Sequence, residues 1–258
     1  IRDSVASRGL GDVYKRQQLG LEFQKISNSY YSSSWVFSTI KTLDLSRLDT
    51  ISSFLNEIKP SIIINCAAYT LVDNAEDDFE IANIINHKAV SSIAKWCNEN
   101  KCKLIHISTD YVYNGYSLIP YKEIDQTAPI NNYGKTKLLG DIACQKNNPS
   151  SIIIRTAWLY SSFGNNFVKQ MINLMKSKSE LNIINDQVGS PTFAADLAKV
   201  ILQIINANIW KSGIYHYTNF GKVSWFDFAN DINSRVFFLI SPFLTTATTR
   251  ILVILCNL

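Results

Sequence analysis

Two neighbouring stretches decide the fold class: Lys103-Leu-Ile-His-Ile-Ser-Thr-Asp-Tyr-Val-Tyr113 and Asn132-Tyr-Gly-Lys-Thr-Lys-Leu138. The first begins as a continuous apolar run, which is typical of a buried strand, and it ends at hydroxyl residues. The second opens a helical pattern of apolar residues that continues to Asn147. A buried strand followed by a loop and a helix is the repeating unit of proteins with a parallel sheet.

Strand-like and helix-like segments alternate on both sides of these stretches. Short runs rich in isoleucine predict strands at 61–65, 103–108 and 151–158. Apolar residues at helical spacing predict helices at 49–58, 78–98, 133–147, 166–176 and 194–205. This order predicts an α/β fold, a Rossmann-like doubly wound parallel sheet with helices on both faces. In such sheets ligands bind beyond the carboxyl ends of the strands.

Composition favours a globular protein without nucleic acid or membrane as partner. The chain has 258 residues, of which 47% are hydrophobic, and its scattered basic residues give a net charge of +4. Its longest apolar runs fall short of the roughly 20 residues that a membrane span needs. Five cysteines without a Cys-x-x-Cys pair and three histidines predict no metal site, and no acidic set can be assigned to Mg²⁺. A reduced, cytoplasmic setting is the simplest interpretation.

Tyr133 and Lys137 are four residues apart, so a helix places both on one face. A phenol, an ammonium and a nearby hydroxyl can together pass a proton to or from a carbonyl oxygen. That is one half of a hydride-transfer reaction, and a nicotinamide supplies the other. A free tyrosine has a pKa of about 10, and we expect the charge of Lys137 to lower it. The alternative is a surface pair on an ordinary helix.

Both ends of the chain differ in character from its middle. Gly9-Leu-Gly11 imitates half of a Gly-x-Gly-x-x-Gly turn, but the third glycine is absent and no buried strand precedes it. We therefore expect 1–17 to be a non-native segment. Residues 234–258 contain no Asp, Glu, Lys or Gly, so we expect an aberrant or truncated tail there.

The middle of the chain resembles the dTDP-4-dehydrorhamnose reductase family, which belongs to the extended short-chain dehydrogenase/reductases. The resemblance covers about residues 18–230. It rests on linked motifs at Ile64–Glu76, Ser108–Tyr113, Asn132–Lys137, Arg155–Tyr160, Asn185–Thr192 and Gly213–Thr218. The Asp-Gln-x-Gly-Ser-Pro-Thr and Arg-Thr-Ala-Trp segments distinguish this sugar reductase group from the wider superfamily.

The resemblance implies reduction of the 4-keto group of dTDP-4-dehydro-L-rhamnose, a nucleotide-sugar, to dTDP-L-rhamnose for polysaccharide biosynthesis. The cofactor would be NADPH or NADH, and a homodimer is one option for the assembly. It implies an NAD(P)-binding Rossmann-like domain at 18–155. A small C-terminal substrate-binding lobe at 156–233 would be interleaved with the last Rossmann elements.

The resemblance also implies site residues. Tyr133 would donate the proton, Thr109 would hydrogen-bond the same oxygen, and Lys137 would hold the nicotinamide ribose. These catalytic residues would be joined by cofactor contacts at Gln18, Leu19, Gly20, Asp44, Leu45, Ala68, Tyr69 and Thr70. Substrate contacts would be Thr109, Asp110 and Trp158.

Several alternatives stay open at this stage. A nucleotide-sugar epimerase or dehydratase uses the same Tyr-x-x-x-Lys pair, and a non-catalytic NAD(P)-binding regulatory subunit could share the fold. Trp158 could pack against a sugar or base, or could be a core tryptophan. His106, inside a strand, is interpreted as a core residue.

Overall fold

The computed structural model describes residues 18–27, 34–207 and 209–238 of the chain. The predicted non-native segment 1–17 lies outside the described residues, as does most of the predicted tail, 239–258. No helix in the described ranges is long and apolar enough to cross a membrane.

Helices and strands alternate along the described chain. In order they are α1 (Gln18–Ser27), α2 (Leu48–Ile58), β1 (Ile62–Asn65), α3 (Phe79–Asn83), α4 (Ala89–Glu99), β2 (Lys103–Thr109), α5 (Asn132–Asn147), β3 (Ile152–Thr156), β4 (Leu159–Tyr160), α6 (Phe167–Ser177), β5 (Val188–Gly189), β6 (Thr192–Phe193), α7 (Ala194–Asn206), β7 (Gly213–His216), β8 (Val223–Ser224) and α8 (Trp225–Phe238). Short 3₁₀ turns occupy Asn74–Glu76 and Asp110–Val112.

Four of the strands form a parallel sheet in the order β1-β2-β3-β7. Asn65 pairs with His106, Thr109 with Thr156, and Arg155 with His216, so the carboxyl ends of the strands lie along one edge. The predicted strands and the parallel sheet are confirmed, with one correction. The strand predicted at 151–158 ends at Thr156.

Successive strand residues point to opposite faces of this sheet, so each face presents its own apolar side chains, and helices cover both. Leu104 and Ile153 pack on one side with side chains of α2 and α4. Ile105 and Ile154 pack on the other with side chains of α1 and α7. All four isoleucine and leucine side chains are buried. The predicted doubly wound arrangement is therefore confirmed.

The chain after β3 adds smaller elements beside the sheet. Strands β4 and β6 pair in parallel, and β5 and β8 pair antiparallel. Met171 of α6 packs with Ala229 and Ile232 of α8 in a separate apolar cluster. The predicted domain bounds, 18–155 and 156–233, stay predictions.

A π-helical turn, Ile84–Lys88, interrupts the helix predicted at 78–98 and joins α3 to α4. Asn86 lies in this turn and is fully buried. Its side chain bonds the backbone N–H and carbonyl of Tyr69 at 2.8 and 3.1 Å, and the Thr136 hydroxyl at 3.1 Å. The turn thus ties the segment after β1 to α5, which carries the predicted catalytic pair.

Gly140 of α5 lies directly against the backbone carbonyl of Asn86, where a Cβ atom would collide. In an exposed helix, Gly→Ala stabilises by about 1 kcal/mol. Here we expect Gly140→Ala to lower the free energy of unfolding by about 1–3 kcal/mol, because overpacking outweighs that gain. Chemical denaturation measures the difference.

Gln145→Ala is the matched control, because Gln145 is an exposed residue of the same helix. Its free energy of unfolding should change by no more than about 0.5 kcal/mol. A more stable Gly140→Ala variant would contradict the close contact between α5 and the π-helical turn.

Candidate active site

A cleft of about 600 Å³ opens at the carboxyl ends of β1, β2 and β3. Strand ends contribute Cys66, Ser108 and Thr156, and the first turns of α5 contribute Tyr133 and Lys137. The rest of the lining comes from α1, the loop after β1 and the segments after β2 and β3. The cleft therefore lies where an open parallel sheet binds its ligands.

Nine of the predicted site residues line this one cleft. They are the three predicted catalytic residues and six of the predicted cofactor and substrate contacts: Thr109, Tyr133, Lys137, Gln18, Leu19, Ala68, Thr70, Asp110 and Trp158. The structure brings them together from β2, α5, α1 and three loops. Their individual roles stay predictions.

Four predicted cofactor residues, Gly20, Asp44, Leu45 and Tyr69, do not line the cleft. Leu45 is buried in the core beside α2 and α4. Asp44 accepts hydrogen bonds from the backbone and hydroxyl of Ser46. The Tyr69 side chain points away and donates to Asp78 at 2.7 Å.

Thr109 ends β2 and caps the 3₁₀ turn that follows. Its hydroxyl donates to the Asp110 carboxylate at 3.1 Å and accepts from the backbone N–H of Tyr111 at 3.2 Å. Burial raises the pKa of Asp110 to about 6, although these hydrogen bonds favour the ionised form. The end of β2 thus presents to the cleft a Thr109 hydroxyl that is hydrogen-bonded to the Asp110 carboxylate.

Tyr133 is buried, at 8% exposure, with its ring edge-on to Tyr111. Burial raises the pKa of its phenol well above the usual value, and a hydrogen bond with Thr109 opposes that shift. The expectation that the charge of Lys137 lowers the pKa of Tyr133 is therefore wrong. Desolvation of the phenolate is the larger effect, and the Asp110 charge adds to it. The Tyr133 phenol therefore stays neutral at ordinary pH.

Lys137 is almost completely buried beneath the cleft. Its ammonium donates to the Ile107 carbonyl of β2 at 2.7 Å. Burial lowers the pKa of Lys137 to about 8, and the charge of Asp141 opposes that shift. Lys137 is thus anchored to the strand next to the phenol of its own helix.

Trp158 bounds the other side of the cleft in an unusual backbone conformation. Its φ of +47° lies in the left-handed region, which costs a non-glycine residue roughly 1–2 kcal/mol. One ring face stacks on Trp225 of α8, with centroids 3.5 Å apart and planes 8° apart. A Cβ on Gly189 would collide with the ring edge. Trp158 is therefore held between a strand and a helix.

Sequence reasoning missed Asn166, which lines the cleft and caps α6. Its amide donates to the Gln18 side chain at 2.9 Å, and Gln18 in turn donates to the Leu159 carbonyl at 3.1 Å. These bonds join α1 to the segment after β4. An asparagine just before a helical pattern is a capping signal, but the distant partner is not visible in the sequence.

Among the described residues, no group of three or more His, Cys, Asp or Glu side chains is placed to hold a metal ion. The described cysteines, Cys66, Cys97, Cys102 and Cys144, are free.

Comparison with known proteins gives a consistent result. The family model of the RmlD substrate binding domain matches residues 15–247. A dTDP-4-dehydrorhamnose reductase from Aggregatibacter actinomycetemcomitans is 41% identical over 191 residues, 72% of this chain and 65% of the relative. The chain belongs to the dTDP-4-dehydrorhamnose reductase family. The predicted resemblance is confirmed, and the chain spans about two thirds of the length of that relative.

Solved structures of the dTDP-4-dehydrorhamnose reductase family share the fold. The reductase from Bacillus anthracis, in complex with NADP, superposes with a TM-score of 0.80 at 40% identity, covering 85% of this chain and 77% of that one. A reductase from Clostridium acetobutylicum gives 0.81 at 40% identity with the same coverage. The Rossmann-type prediction is thereby confirmed.

The stacked Trp158–Trp225 pair provides a spectroscopic test of the cleft wall. We expect Gly189→Ala to displace the Trp158 ring, because its methyl would occupy the ring's place. The exciton couplet of two stacked indoles in circular dichroism should weaken strongly, as it should in Trp225→Phe.

Val188→Ala is the control, because Val188 precedes Gly189 in β5 and its side chain is 61% exposed. It should keep the couplet. A Gly189→Ala protein with an undiminished couplet would show that the wall does not depend on this contact.

Proposed function

We propose that this chain reduces the 4-keto group of dTDP-4-dehydro-L-rhamnose with NADPH and yields dTDP-L-rhamnose. The observation that carries the proposal is the meeting of Thr109, Tyr133 and Lys137 in a cleft that Trp158 bounds. Family membership supports the substrate, because relatives about 40% identical carry the name of this reductase.

Tyr133 has the protonation state that a reduction needs. A 4-keto oxygen that gains a hydride at its carbon becomes an alkoxide and must receive a proton. The buried Tyr133 keeps its proton at ordinary pH and lines the cleft beside Thr109. Its phenol therefore donates this proton to the alkoxide oxygen, which becomes the new hydroxyl group, and leaves a phenolate. General acid catalysis of this kind contributes about 10²–10⁴-fold.

Thr109 and Asp110 orient the reacting oxygen. The Thr109 hydroxyl now donates to Asp110. Rotation of that hydroxyl would turn its proton toward a substrate oxygen and release the carboxylate.

Trp158 exposes one face of its indole to the cleft while Trp225 covers the other. A sugar ring can pack on that free face.

The residues of the cleft fit a nicotinamide dinucleotide. Leu19, Cys66 and Ala68 form an apolar wall, and the buried Lys137 supplies a cation at its base. When bound, NADPH supplies the hydride. Gln18, Leu19, Ala68, Thr70, Tyr133 and Lys137 would hold it. The NADP complex of the Bacillus anthracis relative supports NADPH as the cofactor.

The same cleft could serve other chemistry, so the reaction has to be distinguished by stoichiometry. An epimerase or dehydratase regenerates its cofactor, whereas a reductase consumes one NADPH for each product. A regulatory subunit would bind nucleotide without turnover. Net NADPH consumption with the 4-keto sugar therefore separates the three. The homodimer and the cytoplasmic setting stay predictions, the latter supported by four free cysteines among the described residues.

Tyr133→Phe removes only the proton donor, so turnover should fall by about 10²–10⁴-fold. NADPH binding should change little, because the ring and its packing remain. The measurement is NADPH absorbance on addition of dTDP-4-dehydro-L-rhamnose, with NADPH affinity from fluorescence titration.

Tyr116→Phe is the matched control, because Tyr116 is 77% exposed and lies outside the cleft. It should retain full turnover. Undiminished turnover in Tyr133→Phe would end the assignment of Tyr133 as the acid.

A further inference from the structure

Four ionisable side chains lie together beneath the cleft, almost out of contact with water. The exposed fractions of Lys137, Asp141, Arg155 and His106 are 2%, 1%, 4% and 0%. Buried charges are costly unless they are paired and hydrogen-bonded. The proposed reaction uses Lys137 alone, so the other three require an explanation of their own.

Asp141 lies on α5 one helical turn after Lys137, so both face the sheet. Its Oδ2 atom accepts from Arg155 Nε of β3 at 3.1 Å. Its Oδ1 atom is buried without a hydrogen-bond partner among the described residues and lies 3.9 Å from His106 Nε2. One oxygen of Asp141 is therefore fixed by Arg155, and the other lies beside the His106 ring, whose Nε2 atom is 3.5 Å from Lys137 Nζ.

His106 is not the counter-charge of Lys137. The backbone N–H of Ala67 donates to Asn65 Oδ1, so Asn65 Nδ2 is the atom that faces His106 Nδ1, at 3.1 Å. His106 Nε2 lies 3.5 Å from Lys137 Nζ and 3.9 Å from Asp141 Oδ1, so the ring adjoins both charged groups. Burial holds the pKa of His106 well below its usual value, so the ring stays neutral. Asp141 is left as the nearby anion.

Arg155 is itself anchored on the side away from Asp141. Its Nη1 atom donates to the Tyr113 hydroxyl at 2.7 Å. His216 Nδ1 faces the Tyr121 carbonyl at 3.2 Å, and His216 Nε2 lies 2.9 Å from the Tyr113 hydroxyl, which also donates to the Lys122 carbonyl at 3.0 Å. The Arg155 guanidinium is thus held by Asp141 of α5 on one side and by Tyr113, which follows β2, on the other.

We propose that Asp141, anchored by Arg155, is a positioning residue whose buried carboxylate, in the same cluster, keeps Lys137 an ammonium beneath the cleft. The effect of Asp141 on turnover rests on the proposed function, whereas its effect on the charge of Lys137 does not.

The ionisable groups around Lys137 agree with this role. They are Tyr133, Asp141 and Cys144 of α5, His106 of β2, Arg155 of β3 and Cys66 after β1. Burial lowers the pKa of Lys137 to about 8, and the Asp141 carboxylate is the largest opposing influence. Burial also raises the pKa of Asp141, against the charges of Lys137 and Arg155. The 3.1 Å bond from the Arg155 guanidinium favours the ionised form of the Asp141 carboxyl.

The test is a direct titration of Lys137 in the whole chain. Lysine labelled with carbon-13 at Cε gives a resonance that shifts when Nζ loses its proton, and the Lys137 signal is the one absent from Lys137→Met. The wild-type midpoint should lie near pH 8. In Asp141→Asn it should fall by about 1 unit or more, because a neighbouring anion is removed.

Asp141→Asn leaves Arg155 without its counter-ion and could prevent folding. The double variant Asp141→Asn/Arg155→Gln removes both charges, keeps the net charge of the chain, and should lower the Lys137 midpoint in the same direction. Tyr113→Phe is the control, since it breaks a hydrogen bond of Arg155 but keeps both charges. Its midpoint should stay at the wild-type value.

A midpoint that falls in either Asp141 variant and not in Tyr113→Phe supports the proposal, whereas an unchanged midpoint in a folded Asp141 variant overturns it. In parallel, the alkaline limb of kcat/KM should move by the same interval, since activity is lost as pH rises through the pKa of Lys137. A wild-type chain that does not consume NADPH would end the proposed reaction, and the titration would still decide the role of Asp141.

Discussion

Helix α5 lies against its neighbours at a distance that leaves no room for side chains, and the site depends on this packing. Gly134 faces the Tyr111 carbonyl and Gly140 faces the Asn86 carbonyl, each where a Cβ would collide. Two backbone segments therefore fix the helix, one at its first turn and one at its middle. Because Tyr133 is carried on its first turn, the same contacts fix the phenol against the strand ends. Rigid elements hold reacting groups more accurately than loops do.

Much of this arrangement could be predicted from local sequence. The isoleucine runs gave β1, β2 and β3 but not β7, the fourth strand of the central sheet, and helical periodicity gave most helices to within one or two residues. Thr109, Tyr133 and Lys137 meet because a strand end and a helix start belong to one structural unit. Position along the chain did not predict the direction in which a side chain points. Tyr69 follows β1 as expected, but its side chain turns into the core.

The remaining features depend on contacts between distant parts of the chain. The pKa of Tyr133 follows from how deeply the folded chain buries it, and a charge one turn away does not offset that burial. The same holds for Trp158, whose partner Trp225 belongs to the last described helix. No sequence motif singles out Asp141, and only the fold gives it Arg155 as a partner. Sequence periodicity carries no record of such pairings.

The π-helical turn at Ile84–Lys88 has a consequence for how this fold tolerates change in length. Such a turn holds one residue more than an α-helical turn. Deleting one residue there would restore a regular helix and should preserve its stability as a helix. It would also rotate the preceding part by about 100° relative to the rest, since an α-helix turns once every 3.6 residues. Asn86 would then lose Tyr69 and Thr136. The extra residue of the π-helical turn therefore places Asn86 where it links the segment after β1 to α5.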